Sequence, residues 1–167
     1  MKSNITLIGM PGAGKSTSGI ILAKIMALGF IDTDILIQIN HQSPLQHILD
    51  GSGYMKLRQI EEEEILRLNI TNQVIATGGS AVYSRAAMNH LKKISTIVFI
   101  DVDYEELCRR IDNFATRGIA CARNQSFADL YWERLPLYER YADITIAAGN
   151  KTQEQIAVEI AQIIAGT

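Results

Sequence analysis

The chain has 167 residues, 47% of them hydrophobic, with a formal net charge of −2 and a sequence pI of 5.9. That length suits one domain burying its own core without metals or disulfides, and the near-neutral charge argues against broad electrostatic binding to nucleic acid or anionic membrane. Cys108 and Cys121 are too few and too far apart for a zinc site, the N-terminal apolar run is too short for a signal peptide, and no stretch of ~20 apolar residues offers a membrane span, so a cytoplasmic protein with free thiols is expected.

In chain order, the first strand candidate, about 4–9, runs straight into Gly9-Met10-Pro11-Gly12-Ala13-Gly14-Lys15-Ser16, a full G-x-x-x-x-G-K-[ST] phosphate loop. The residue types follow from the chemistry: glycines let successive backbone N–H groups turn inward around phosphate oxygens, with no Cβ in the way. Lys15 reaches the β- and γ-phosphates, Ser16 offers a hydroxyl to Mg²⁺, and the helix predicted over about 15–28 adds its N-terminal dipole to the same anion. Gly12, Ala13, Gly14, Lys15, Ser16 and Thr17 are therefore the candidate contacts of a nucleoside triphosphate.

The second strand candidate, about 29–32, leads into Phe30-Ile31-Asp32-Thr33-Asp34, a pair of carboxylates at a strand end. Facing the phosphate loop, one would hold Mg²⁺ and the other would accept a hydrogen bond from a substrate hydroxyl. A plainer alternative is that Asp34 caps the helix predicted over about 34–40. Ser43 before Pro44 reads as the N-cap of a helix over about 44–50, and Gly51-Ser52-Gly53 separates it from a helix over about 54–69. In the latter, Arg58 precedes Glu61 to Glu64, which on its own suggests an ion pair with Glu61 or Glu62 on a solvated face.

A third strand, about 73–77, closes on Thr77-Gly78-Gly79-Ser80, where adjacent glycines bring backbone N–H groups close to a ligand or simply form a turn. After a helix over about 84–93, the strand at about 96–101 ends in Asp101, a rival metal ligand in the manner of a Walker B motif. A helix over about 103–113 follows, and then the apolar period vanishes over about 114–125, a candidate mobile lid. Six of the nine arginines lie between 109 and 140, a stretch without lysine, and guanidinium forks suit a small anionic ligand. Surface pairing with Asp112, Asp129, Glu133 and Glu139 accounts for two or three of them. A helix over about 126–141, a strand at about 143–147 and a helix over about 152–165 complete the pattern. Five strands alternating with helices predict a parallel sheet covered on both faces, with ligands at the strands' carboxyl ends. The histidines His41, His47 and His90 show no metal spacing, and Tyr54, Trp132 and Tyr138 read as packing residues.

Taken together, these motifs resemble the shikimate kinases, small members of the nucleoside monophosphate kinase superfamily, over essentially the whole chain. Residues 9–17 resemble their phosphate loop, Phe30-Ile31-Asp32-Thr33-Asp34 their paired aspartates, and Thr77-Gly78-Gly79-Ser80-Ala81-Val82 their glycine triplet. Leu57-Arg58 with Glu61 is similar to the family's aromatic-Arg-x-x-Glu element, and Arg134-Leu135-Pro136-Leu137-Tyr138 to its Arg-x-Pro-x-Tyr element. The resemblance implies one P-loop NTPase domain over 1–167: a three-layer α/β/α fold with a five-stranded parallel sheet, substrate-binding helices over about 34–69 and a lid over about 114–125. It implies ATP-dependent phosphorylation of the shikimate 3-hydroxyl with Mg²⁺, by a monomer without nucleic-acid or membrane partners.

Residue by residue, the resemblance implies that Asp34 receives substrate hydroxyls and helps to deprotonate the attacking one. Arg58 and Arg134 clamp the carboxylate, the Gly78-Gly79 pair lines the acceptor with Gly79 donating a backbone N–H, and Asp32 and Ser16 organise Mg²⁺. Arg117 swings in with the lid to neutralise the transferring phosphoryl group, and Arg110 lies against adenine. The chain departs from the family pattern in its lid, Arg117-Gly118-Ile119-Ala120 in place of Arg-Pro-Leu-Leu, in Ser80 at the third glycine, and in Leu57 before Arg58. The alternatives are a related kinase acting on another hydroxylated acid such as gluconate, and a nucleotide-binding regulatory homologue without turnover.

Overall fold

A computed structural model of the chain describes residues 2–111, 119–122 and 124–166. In order, the elements are β1 (Asn4–Ile8), α1 (Lys15–Met26), β2 (Gly29–Asp32), α2 (Thr33–His41), α3 (Leu45–Ser52), α4 (Tyr54–Leu66), β3 (Gln73–Ala76), a 3-10 turn (Ala81–Tyr83), α5 (Arg85–Ile94), β4 (Ser95–Asp101), α6 (Tyr104–Arg110), α7 (Phe127–Tyr141), β5 (Ile144–Ala147) and α8 (Gln153–Ala165). Every residue of β1 is buried, as expected of a strand covered on both faces. All five strands run parallel in the order β2-β3-β1-β4-β5, with Ile5 of β1 opposite Val74 of β3 and Thr96 of β4.

One polar side chain ties the centre of this sheet together. The buried Asn4 amide donates to the carbonyls of Ile70 and Ile94, at 2.8 and 3.0 Å, and accepts from the Gln73 N–H at 2.9 Å, so the starts of β3 and β4 are pinned to β1. Each such bond adds about 1 kcal/mol, and leaving any of these buried groups unpaired costs more. Helix α1 packs on α8 and on the sheet at β3, while α5 and α7 pack on β4, giving the three-layer α/β/α arrangement expected from the alternating pattern.

Helices α2, α3 and α4 pack round a second, small core of Ile37, Ile48, Leu57 and Ile60, to which Ala120 contributes from outside the three helices. Their caps differ in detail from the sequence expectation. Asp32, not Asp34, caps α2, its Oδ1 accepting from the N–H groups of Asp34 at 2.9 Å and Ile35 at 3.4 Å. Helix α3 begins at Leu45 with Pro44 as its N-cap, so Ser43 does not cap it; the Gln38 side chain accepts from the Leu45 N–H instead. Gly51 and Ser52 remain helical, and the break before α4 falls at Gly53 alone.

Pro136 sits inside α7 on its exposed face, where its ring removes one helical hydrogen bond. Trp132, expected to pack, is 64% exposed. Of the expected lid, residues 114–118 and 123 lie outside the described residues, and Arg117 with them. Among the described residues no helix is long and apolar enough to cross a membrane.

Candidate active site

The carboxyl ends of β1, β2 and β3 open onto a cleft of about 260 Å³. Gly12, Gly14, Lys15, Ser16 and Thr17 line one side of it, and Asp34, Glu61, Gly78, Gly79 and Arg134 the other. The loop turns into α1 at Gly14, whose φ of +88° is one that a residue with a Cβ adopts only under strain. Ala13 is buried and its N–H donates to the Met10 carbonyl, within the loop itself.

Lys15 is buried, and its Nζ donates to the carbonyls of Gly9 and Met10 at 2.8 and 2.9 Å. Burial lowers its pKa to about 8 against the opposing pull of Asp34 and Asp32. The Ser16 hydroxyl donates to Asp32 Oδ2 at 2.5 Å, so two hard oxygen donors stand together at the start of α1. Mg²⁺ characteristically takes one or two protein oxygens and completes its shell with phosphate and water, so the pair fits that ion. Asp101 has a different environment: its carboxyl is pushed up by burial and by Glu139 and Asp103.

Asp34 lines the cleft between the loop and the acceptor side. Enclosure, with Asp32 beside it, raises its pKa to about 6 even though Lys15 pulls the other way. Glu61 is more strongly affected: burial, then Asp34, lifts it to about 7, partly offset by the hydrogen bond it accepts from the Ser80 hydroxyl. Between the two carboxyls lies Gly78, where a Cβ would stand 2.2 Å from Glu61 Oε1 and 2.8 Å from Asp34 Oδ1. Its N–H is donated to Thr33 Oγ1 at 3.2 Å, so Gly78 offers the cleft its missing side chain rather than a free donor. Gly79 likewise lets Arg134 approach, since a Cβ there would meet Arg134 Nη1 at 2.8 Å.

Arg58 does not pair with Glu61 or Glu62. Its Nη2 donates to the Ala120 carbonyl at 3.2 Å, and its guanidinium lies 3.7 Å from the centre of the Tyr83 ring. Arg134, 1% exposed, donates from its own Nη2 to the same Ala120 oxygen at 2.9 Å. Two guanidiniums from α4 and α7 thus converge on one oxygen across the cleft from the phosphate loop. Of the sequence-selected residues that the structure describes, Ala13, Asp32, Arg58 and Arg110 are not part of the cleft lining, although Arg58 reaches its edge through the Ala120 carbonyl; Arg117 lies outside the described residues. Asp32 stays linked through Ser16, while Arg110 Nε donates to Glu106 Oε1 at 2.8 Å on α6. Tyr83 and Ala120 were missed: nothing in the local sequence marks an aromatic in a 3-10 turn or a backbone carbonyl as part of a site.

A parallel sheet of this order, with its first strand feeding a phosphate loop and a small helical unit facing it over a cleft, defines a P-loop kinase of the nucleoside monophosphate kinase type. The family model for shikimate kinase matches residues 11–165, and the chain belongs to the shikimate kinase family. A shikimate kinase from Clostridium botulinum is 36% identical to it over 98% of both chains. Among solved structures, a shikimate kinase from Acinetobacter baumannii in complex with shikimate superposes with a TM-score of 0.91 at 29% identity, covering 98% of this chain and 93% of that one. The shikimate kinase of Aquifex aeolicus gives a TM-score of 0.85 at 30% identity, over 98% and 96% of the two chains.

Proposed function

We propose that the protein transfers the γ-phosphoryl group of ATP to the 3-hydroxyl of shikimate, giving shikimate 3-phosphate and ADP. The observation that carries this reading is the convergence of Arg58 and Arg134 on the single Ala120 oxygen, opposite Asp34 and Lys15. Two guanidiniums aimed at one point at the cleft suit a carboxylate, which satisfies both forks at once. A neutral polyol would leave both without an anion, at a cost of a few kcal/mol. Asp34 stands where a hydroxyl held by that carboxylate grip would lie, and its raised pKa of about 6 keeps it ionised yet basic enough to take a proton near neutrality.

In this reading the acceptor oxygen attacks the γ-phosphorus as its proton passes to Asp34, and the bond from γ-phosphorus to the bridging oxygen breaks to release ADP. Lys15 leaves the Gly9 and Met10 carbonyls for the phosphates, and the loop amides of Gly12, Gly14, Ser16 and Thr17 orient the chain of phosphates, with Ala13 among them once its N–H is released. Ser16 and Asp32 would hold Mg²⁺, which would supply positive charge against the developing charge of the transfer. Arg117 from the lid over about 114–125 would add a second cation on the transferring group, and Arg110 would face the adenine. Gly79 would give its N–H to the acceptor. The helices over about 34–69 form the acceptor side of one domain over 1–167, acting as a monomer in the cytoplasm with small molecules as its partners. A panel of hydroxy-acids assayed with Mg-ATP tests the reading: shikimate turns over best. No turnover of shikimate while another acid, such as gluconate, reacts would overturn it.

A further inference from the structure

Glu61 lines the cleft, yet no step of the proposed reaction uses it. It follows Arg58 by three residues on α4, but Arg58 is engaged by Ala120 and Tyr83, and Glu61 Oε2 accepts a hydrogen bond from the Ser80 hydroxyl instead. Glu61 is 3% exposed, and its other oxygen, Oε1, has no hydrogen-bond partner among the described residues. A buried carboxylate oxygen without a donor is a standing cost, and such atoms are rare unless a ligand or water completes them. Oε1 points to the same bare Cα of Gly78 that Asp34 Oδ1 approaches, so the unsatisfied oxygen and the proposed base face one small volume. Thr77 and Gly78 precede Ser80 at the end of β3, and the Thr77 hydroxyl and Gly78 N–H are tied to Leu7 and Thr33, which fixes the segment that presents the Ser80 hydroxyl.

We propose that Ser80 is a positioning residue for the acceptor: its hydroxyl fixes one oxygen of Glu61 so that the other accepts a hydrogen bond from the ring hydroxyl next to the reacting one. Asp34 and Glu61 then grip two neighbouring hydroxyls, which orients the ring as well as holding it. The inference rests on shikimate as acceptor, whose 4-hydroxyl adjoins the 3-hydroxyl.

The test compares shikimate with its 4-deoxy analogue in the wild-type protein and in Ser80→Ala and Ser80→Thr variants. Ser80→Ala raises the KM for shikimate about tenfold, the effect of one lost hydrogen bond at 1.4 kcal/mol per decade, with the KM for ATP within about twofold. With the 4-deoxy analogue, wild type and Ser80→Ala have equal kcat/KM, and Ser80→Thr, which keeps the hydroxyl, stays near wild type on shikimate. The wild-type protein alone carries a version that needs no variant to fold: the 4-deoxy analogue loses about tenfold in kcat/KM relative to shikimate. Equal losses with both acceptors in Ser80→Ala would reveal a general structural defect and overturn the inference. An unchanged KM for shikimate in Ser80→Ala, or a wild type indifferent to the missing 4-hydroxyl, overturns it as well, while turnover of shikimate by the wild type leaves the reaction standing. A wild type inactive on shikimate overturns the reaction and the inference with it.

Discussion

Replacing Arg134 by methionine separates acceptor binding from folding. In the acceptor-free protein this buried cation meets only neutral oxygens: Nη2 donates to Ala120 at 2.9 Å and Nε to the Tyr83 hydroxyl at 3.4 Å. No carboxylate lies within ion-pair distance of it among the described residues. Methionine has a similar length and keeps the apolar contacts of the stem. It removes a desolvation cost of several kcal/mol along with two hydrogen bonds of about 1–3 kcal/mol each, which leaves a net change within about 1 kcal/mol. For a domain of this size that shifts Tm by no more than about 4 °C. Catalysis responds differently, because a carboxylate that loses the buried Arg134, one of its two guanidinium partners, loses about 3–5 kcal/mol. At 1.36 kcal/mol per decade, kcat/KM for shikimate falls by about 10²- to 10⁴-fold. Steady-state assays of ADP release and a thermal melt of the same preparation measure both quantities. A collapse in Tm with kcat/KM nearly unchanged would make Arg134 a structural residue and refute the clamp.

Asp34→Asn keeps the side-chain shape but removes the proton acceptor, so turnover falls by about 10²- to 10⁴-fold while Mg-ATP binding by calorimetry is retained; a variant with wild-type kcat takes Asp34 out of the mechanism. Glu61, lifted from 4.5 to about 7, binds its proton more tightly in the folded than in the unfolded chain, so its contribution to stability is lost as pH rises from 4.5 to 7. Melts across that window therefore show Glu61→Gln gaining on wild type toward pH 7, and parallel curves would refute the burial of a charged Glu61. Tyr138→Phe removes the O–H that donates to the Gly79 carbonyl at 2.6 Å while keeping the ring stack on Phe99 at 5.2 Å. Urea unfolding shows a loss of about 1–2 kcal/mol, and a neutral variant would mean that water already serves that carbonyl.

The strands and many of the helices were legible from pattern: largely apolar runs at the buried β1 and β4, and amphipathic spacing that is clearest in α5. The nucleotide half of the site was legible for a different reason, since a phosphate loop is a contiguous stretch whose chemistry is local. Helix ends were less so. Asp32 outcompetes Asp34 as a cap because only Asp32 keeps the extended backbone of the strand end, with φ −111°, and that conformation is decided by β2 pairing with β3. The acceptor half depends on contacts between distant segments. Arg58 takes Tyr83, Ala120 and the Tyr54 ring rather than the acidic residues of its helix, and Glu61 takes Ser80, because the tertiary fold delivers Tyr83, Ala120 and Ser80 to a buried place where a solvated i,i+3 pair has no counterpart. Ala120 acts through its carbonyl, and a backbone group leaves no trace in residue identity.

In the proposed reading, an acceptor arriving at Arg58 and Arg134 would find the Ala120 oxygen already there. Entry would then be a ligand exchange, in which the carboxylate gains only the difference between its own affinity and that of the Ala120 carbonyl, less the cost of drawing residue 120 away from Ile37, Ile48, Leu57 and Ile60. Such a resident competitor sets a threshold: a small anion that touches the two guanidiniums and nothing else displaces the carbonyl for little return. A molecule that also reaches Asp34 would recover the difference at its far end, so a cleft of this kind would select for span between carboxylate and hydroxyl as well as for charge.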